Sequence, residues 1–120
     1  VVVTTNLFGD ILTDLGAMVQ GGMGVAASAN LHPGKLGLFE PIHGSFPKAT
    51  GQNTANPIAT ISAIGMMLSY LGESEAATAV EGAIASLLQS GQITSLSAGA
   101  LPTDALGTLV LEELAAVTVK

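Results

Sequence analysis

Two aspartates near the start of the chain are spaced to share a metal ion. Asp10 and Asp14 are four residues apart, and on a helix positions i and i+4 lie on one face. Two like charges there repel each other, and a shared cation removes that repulsion. Ligation by oxygen alone, without Cys or an adjacent His, suits Mg²⁺ or Mn²⁺. Taken by itself, the motif is equally the pattern of a helix-start aspartate followed by a solvated surface charge, which is the commoner case.

A second segment combines a carboxylate, an imidazole and a hydroxyl in one turn. Glu40, His43 and Ser45 are interspersed with proline and glycine, and the loop then continues through residues 46–56. Loops of this length in compact domains are usually functional. Its glycines allow a ligand to approach the backbone, and it ends where a predicted helix N-terminus attracts anions. The segment suits a nucleotide-binding loop, although an αβ connection rich in turn formers has the same composition.

Other sites find no support in the sequence. The glycine run Gly21-Gly22-Met23-Gly24 follows a predicted helix rather than a strand, and Ala27 fills the last glycine position, so a Rossmann fingerprint is not supported. Ser45 has no acid-base partner nearby in sequence except His43, so a hydrolase triad is unsupported. The chain has no cysteine, which removes disulfides and thiol nucleophiles and fits a reducing compartment.

The charge balance excludes two classes of partner. The formal net charge is −6, with three lysines and no arginine, so nucleic acid and anionic membrane surfaces are not expected partners.

The most apolar run, Ile58–Leu71, is about 14 residues long and better suits a buried helix than a membrane span. Charged residues make up only 10% of the chain. We therefore expect part of its surface to be buried against further chain or a partner outside this sequence. The start at Val1, without Met or signal peptide, also predicts that the sequence comes from the interior of a larger protein.

Local patterns predict an α/β arrangement. The β-branched run Val1–Thr5 predicts a buried strand, and Gly9–Val19 predicts a helix ended by the glycines after it. Short strands are predicted at Val25–Ala29 and Leu36–Glu40, with a turn over 30–34 between them. Three further helices follow, the first capped by Asn56 and the last by Thr103. Their predicted ranges are Pro57–Leu71, Glu73 or Ser74 to Gln89, and Asp104 to about Val117, with an irregular segment at Ile93–Leu101.

In order along the chain, these motifs resemble the β-decarboxylating dehydrogenases, the family of 3-isopropylmalate and isocitrate dehydrogenases. The matching segments are Asn6–Asp14, the glycine run after it, Leu38–Ser45, Ala55-Asn56-Pro57 and Met66-Met67-Leu68. The segment Glu-Pro-Ile-His-Gly-Ser at residues 40–45 is most similar to that of the 3-isopropylmalate dehydrogenases in this family. The resemblance implies the C-terminal portion of a non-Rossmann α/β fold, incomplete here. Residues 1–20 would end a substrate and dimerisation domain, and residues 21–120 would form the C-terminal half of a cofactor-binding domain.

The resemblance also implies roles for individual residues. Asp10 and Asp14 would bind Mg²⁺ or Mn²⁺, Glu40 would lie toward the nicotinamide of NAD, and His43 and Asn56 would lie near its adenine. The rest of the implied cofactor loop is Gly44, Ser45, Phe46, Pro47, Lys48, Ala49, Thr50, Gly51, Gln52, Asn53, Thr54 and Ala55. The family's catalytic Tyr and Lys, its substrate-binding arginines and a third metal aspartate lie upstream, so no catalytic residue is expected in this chain.

The family pattern implies a cytoplasmic homodimer that oxidises and decarboxylates a small 2-hydroxy-dicarboxylate for leucine biosynthesis. Lys48 departs from that pattern, because NAD-dependent members usually carry an Asp there to accept hydrogen bonds from the ribose hydroxyls. A lysine would instead attract the 2′-phosphate of NADP, but the Tyr that often follows such a lysine is Ala49 here, so NAD remains the first expectation. The alternatives are an isocitrate, homoisocitrate, malate or tartrate dehydrogenase of the same family, and a non-catalytic acidic binding module.

Overall fold

The computed structural model describes residues 1–34 and 36–118, and the side chains of the last two of these are outside the description. It contains four α-helices, one 3₁₀ turn and one two-stranded antiparallel sheet. The elements in chain order are α1 (Asn6–Val19), β1 (Ala27–His32), β2 (Leu36–Pro41), the 3₁₀ turn Pro47–Ala49, α2 (Ile58–Tyr70), α3 (Ser74–Gln89) and α4 (Thr103–Thr118). The mixture of helix and strand confirms the expected incomplete α/β fold.

The core lies among the three C-terminal helices and the segment between the last two. Helix α2 packs on α3, and α3 packs on α4. Six apolar side chains form one fully buried cluster, and its members are Ile58, Ala83, Leu87, Ile93, Leu106 and Val110. The irregular segment predicted after α3 is present, and Ile93 anchors it in this cluster. This core is the platform on which the sheet rests.

The two strands form a ribbon whose two faces have different surroundings. Side chains alternate between faces along a strand, so Phe39 lies on the face opposite that of Leu38 and Glu40. The ring of Phe39 contacts the ring of Tyr70 in α2, with centroids 5.6 Å apart and planes tilted by 54°. This face packs on α2, while the other face, with Leu38 and Glu40, is exposed.

Helix α1 is held by its C-terminal turn rather than by extensive packing. The N–H of Gly22 donates to the carbonyl of Ala17 at 2.9 Å, which closes the helix with the turn that requires left-handed backbone after it. Gly21 supplies that backbone at φ +111°, and a Cβ there would lie 2.9 Å from a methyl group of Leu96. Helix α1 makes no extensive contact with the other described helices and strands. Ala17 is its buried residue.

Three local predictions need correction. Val1–Thr5 is exposed and forms no strand, because it pairs with neither β1 nor β2. Helix α1 begins at Asn6 rather than Gly9, since the extended backbone of Thr5 places its carbonyl to accept from the N–H of Gly9 at 2.8 Å. Strand β1 runs to His32, because pairing with Leu36 carries the ribbon into the predicted turn.

The large apolar side chains of α1 are exposed. Ile11, Leu12 and Leu15 are each at least 50% exposed, and Met18 and Val19 more so. None of the described helices has both the length and the apolar character needed to span a membrane.

Candidate functional site

Helix α1 presents its two aspartates to a cleft. Asp10 and Asp14 line it together with Thr13, Ala17 and Gln20, which is the spacing of one helical face. The Thr13 hydroxyl is engaged with its own helix, donating to the carbonyls of Gly9 and Asp10 at 3.0 and 3.1 Å. The expectation that both carboxylates share a face is therefore confirmed, and the cleft that they line also contains His43.

The opposite wall of this cleft is the ribbon and the turn that follows it. Ser28 on β1 pairs directly with Glu40 on β2, and Pro41, His43 and Gly44 continue the wall. The cleft is open to solvent and has a volume of about 790 Å³. We call it the acidic cleft, defined by Asp10, Asp14, Ser28, Glu40, His43 and Gly44. Two motifs that are separated by a hairpin in sequence thus face the same space.

The electrostatics of the acidic cleft favour a bound cation. Three carboxylates line it, and the described lining residues include no lysine or arginine. A dicarboxylate would be repelled from such a surface unless a cation neutralised it. Oxygen donors fit Mg²⁺ or Mn²⁺, but two aspartates fill only part of an octahedron. Among the described residues, no group of three His, Cys, Asp or Glu side chains could hold a metal ion, so the remaining ligands must come from elsewhere.

A second, smaller cavity adjoins the acidic cleft across His43 and Gly44. Its volume is about 290 Å³, and we call it the small cavity. Its lining residues are Gly24, His43, Gly44, Ser45, Phe46, Ala55, Asn56 and Ala98. A Cβ added to Gly44 would meet nothing within 4 Å, so that backbone is open to a ligand. A mostly apolar cavity with a few polar groups suits a flat heteroaromatic ring.

The imidazole of His43 is oriented by its neighbour. Its Nδ1 lies 2.9 Å from the carbonyl of Gly44, and because a carbonyl can only accept, Nδ1 carries the proton. Nε2 is then the acceptor in the neutral ring. Partly buried between the two cavities, the ring can accept one hydrogen bond from a ligand.

Two asparagines of the implied cofactor loop are engaged within the protein. Asn56 accepts from the N–H of Ile58 at 2.9 Å and donates to the carbonyl of Leu96 at 2.9 Å. Asn53, at φ +56°, donates to a carboxylate oxygen of Asp104 at 2.6 Å and accepts from the Asp104 N–H at 3.2 Å. These bonds tie the loop to α2, to the 93–98 segment and to α4, so both amides act first as structural ties.

The hydrogen bonds also tune one carboxyl group at the start of α4. Donation from the Asn53 amide, followed by donation from the Ala105 N–H, lowers the pKa of Asp104 from its usual value of 3.8. Thr103, which we predicted to cap this helix, instead uses its hydroxyl to donate to the carbonyl of Ala55 at 2.6 Å. The capping function passes to Asp104 and to Asn53 from the loop.

The rest of the implied cofactor loop lies outside both cavities. Lys48 is exposed on the 3₁₀ turn, and its carbonyl accepts from the Gln52 side chain at 2.7 Å. The residues that line neither the acidic cleft nor the small cavity are Pro47, Lys48, Ala49, Thr50, Gly51, Gln52, Asn53 and Thr54. Sequence reasoning missed Ser28, Gln20 and Ala98, whose positions depend on strand register and on how distant segments meet.

Comparison with known proteins identifies the family. The model of the isocitrate/isopropylmalate dehydrogenase family matches residues 1–110, and the chain belongs to this family. The solved structure of isocitrate dehydrogenase from Methylococcus capsulatus superposes with a TM-score of 0.81 at 39% identity, over 93% of this chain and 34% of that one.

Two curated relatives show the range of named activities. A 3-isopropylmalate dehydrogenase of Carboxydothermus hydrogenoformans is 49% identical over 95% of this chain and 32% of its own length. An isocitrate/homoisocitrate dehydrogenase of Thermus thermophilus is 47% identical over 95% of this chain and 34% of its own length. The chain spans between about a quarter and a third of the length of the curated relatives it matches.

Proposed function

We propose that this chain is the metal- and cofactor-bearing C-terminal portion of an enzyme that oxidises and decarboxylates 3-isopropylmalate with NAD. The observation that carries the proposal is the acidic cleft, in which Asp10 and Asp14 face Glu40 and His43. The proposal includes Mg²⁺ or Mn²⁺, a cytoplasmic homodimer and a role in leucine biosynthesis. It also assigns residues 1–20 to a substrate and dimerisation domain and residues 21–120 to a cofactor-binding domain.

The residues of this chain bind and orient rather than transfer protons. Asp10 and Asp14 would hold the divalent ion, which supplies Lewis-acid stabilisation of negative charge on substrate oxygens. NAD, the hydride acceptor, would lie along Glu40, His43 and Gly44. The net negative charge of the cleft makes binding of an anionic substrate dependent on the metal, and this couples metal binding to substrate binding.

The chain supplies no arginine to grip two carboxylates. Tyr70, its single tyrosine, lies in α2 against Phe39, on the opposite side of the ribbon from the acidic cleft. We therefore expect the isolated 120 residues to be inactive. Isopropylmalate-dependent reduction of NAD⁺ by the isolated chain would contradict this expectation.

The test of the proposal is an assay of the full-length enzyme that contains this chain. With Mn²⁺ and NAD⁺, we expect 3-isopropylmalate to be oxidised with a higher kcat/KM than isocitrate or homoisocitrate. The second candidate is an isocitrate or homoisocitrate dehydrogenase, and it is supported by the 47% identity to the Thermus thermophilus relative. A preference for isocitrate or homoisocitrate would establish it. Absence of turnover with all three substrates, despite metal and dinucleotide binding, would favour a non-catalytic binding module.

Cofactor choice is tested at Lys48. Its ammonium is exposed at the rim of the loop and attracts a 2′-phosphate, whereas an aspartate would accept from ribose hydroxyls. Lys48→Asp should shift the ratio of kcat/KM values toward NAD and away from NADP. Gln92→Ala, at an exposed position after α3, is the control. Unchanged selectivity would remove Lys48 as the determinant.

A further inference from the structure

Ser28 and Glu40 form a donor and acceptor pair on the exposed face of the ribbon. They are directly opposite in the antiparallel register, so their Cβ atoms are about 4.5–5.5 Å apart on the same face. Both line the acidic cleft. The side chains of Ser28 and Glu40 make no hydrogen bond to each other or to another residue within the described part of the chain. Both groups are therefore available to a third partner between them.

The chemistry of the pair defines that partner. A carboxylate only accepts hydrogen bonds, and a serine hydroxyl beside it can donate. A primary carboxamide presents the complementary groups, an NH₂ donor and a C=O acceptor on one carbon. A substrate carboxylate presents acceptors only and would be repelled by Glu40. The pair therefore matches a carboxamide and not the dicarboxylate substrate.

The charge of Glu40 adds a second argument. The oxidised nicotinamide ring is a cation that carries a primary carboxamide, so its charge complements the carboxylate. Asp10 and Asp14 lie on the other wall of the cleft, where they would hold the divalent ion of the proposed function. The cleft is thus divided between a metal-binding wall and a wall that suits a cationic amide.

From this arrangement we infer that Ser28 is a further cofactor-binding residue, whose hydroxyl donates to the carboxamide oxygen of the nicotinamide while Glu40 accepts from its NH₂ group. The inference rests on the proposed function, since it assumes that NAD is the ligand. It assigns a role to a residue of β1, outside the loop from Glu40 to Asn56.

The test measures dinucleotide binding to the full-length enzyme by calorimetry with three ligands. They are NAD⁺, ADP-ribose, which lacks the ring, and 3-acetylpyridine adenine dinucleotide, which keeps the C=O and lacks the NH₂. Ser28→Ala should raise the Kd for NAD⁺ and for the acetylpyridine analogue by about 5-fold each, the effect of one lost hydrogen bond. The Kd for ADP-ribose should not change.

Glu40→Ala should behave differently from Ser28→Ala. It removes both carboxylate oxygens, so it should weaken binding of NAD⁺ more than binding of the acetylpyridine analogue, because only NAD⁺ donates a hydrogen bond to that position. Ser28→Thr, which keeps the hydroxyl, should restore binding of NAD⁺, and Ser69→Ala on the exposed side of α2 should change nothing.

Three results with the variants would overturn the inference. One is an unchanged Kd for NAD⁺ in Ser28→Ala. Another is equal weakening of ADP-ribose, which would show a structural role. The third is a change in the ratio of NAD⁺ to analogue affinity in Ser28→Ala, which would show that serine acts only through Glu40. If the binding results are as expected but the enzyme does not oxidise 3-isopropylmalate, only the substrate assignment is wrong. If the wild-type enzyme does not bind NAD⁺, both the proposed function and the role of Ser28 are wrong.

Discussion

Asn53 and Asp104 exchange two hydrogen bonds across 51 residues of sequence: the Asn53 amide donates to the Asp104 carboxylate at 2.6 Å, and the Asp104 N–H donates to the Asn53 oxygen at 3.2 Å. The pair joins the implied cofactor loop to the first turn of α4. Because Asn53 has φ +56°, replacement by glycine removes the side chain without straining the backbone.

The pH dependence of stability should change in Asn53→Gly. The folded-state pKa of Asp104 is lowered, chiefly by the Asn53 amide, so this carboxylate stabilises the fold above its unfolded pKa of 3.8 and loses that contribution as the pH falls through the folded pKa. Asn53→Gly should raise the pKa of Asp104 toward 3.8. Its destabilisation should be largest at neutral pH and should shrink below about pH 4.

Carbon-13 NMR titration of the Asp104 carboxyl and denaturant unfolding between about pH 3 and 7 would measure both effects, with Gln52→Ala as the control. A loss of stability in Asn53→Gly that is the same at every pH would show that the amide does not act through this carboxylate.

Removal of either aspartate on α1 should weaken metal binding without weakening the helix. Asp10→Asn and Asp14→Asn should each raise the Kd for Mn²⁺ by at least roughly 10- to 100-fold, the range known for disturbing even an outer partner of a metal ligand. Without metal, each variant should be more stable by a few tenths of a kcal/mol, because the like-charge pair at i and i+4 is gone.

Electron paramagnetic resonance of Mn²⁺ in the full-length enzyme measures the first effect, and Glu75→Gln in α3 is the charge-matched control. Unchanged Mn²⁺ affinity in both aspartate variants would show that Asp10 and Asp14 are solvated surface charges and not metal ligands.

Substitution of Gly44 should weaken cofactor binding without affecting folding. A Cβ at this position meets no described atom within 4 Å, and Gly44 lines both the acidic cleft and the small cavity. Gly44→Ala should leave the free energy of unfolding nearly unchanged and raise the KM for NAD⁺ roughly tenfold, the effect of losing about 1.4 kcal/mol of binding.

The matched control is Gly107→Ala in α4, where a Cβ also has open space. Here the helix should gain about 0.5–1 kcal/mol and the KM should not change. Equal kinetics in the two variants would show that no ligand approaches Gly44.

Substitution of Leu87 should reveal how much the buried core contributes to stability. It is 1% exposed within the buried cluster, so Leu87→Ala should lower the free energy of unfolding by about 2–5 kcal/mol. Leu111→Ala on α4, 68% exposed, should change it by no more than about 0.5 kcal/mol. Urea unfolding of both variants decides the point, and a similar loss in the two would contradict the assignment of the core.

The sequence predicted the elements whose signals are local. Strand Leu36–Glu40 and the helix ending at Gln89 appear within one residue of their predicted bounds, because glycine stops and apolar periodicity act over a few residues. Val1–Thr5 was predicted wrongly as a strand, since β-branched composition cannot supply a pairing partner.

The candidate site was predictable only where its geometry is local. Asp10 and Asp14 share a helical face, as their spacing requires. The internal ties of Asn53 and Asn56 were not predictable, because they depend on Asp104 and Leu96, which lie about 40 to 50 residues away. Ser28 was missed for the same reason, since its neighbour is fixed by strand register rather than by sequence proximity.

The closing turn at Gly21 and Gly22 has a consequence for how related sequences can differ in length. Both walls of the acidic cleft belong to one continuous stretch, and only residues 20–26 separate α1 from β1. An inserted or deleted residue there would shift α1 relative to β1 and change the distance from the aspartates to Glu40. The hairpin tip at Pro33 and Gly34 is exposed, and insertions should therefore accumulate there and be absent from the glycine turn.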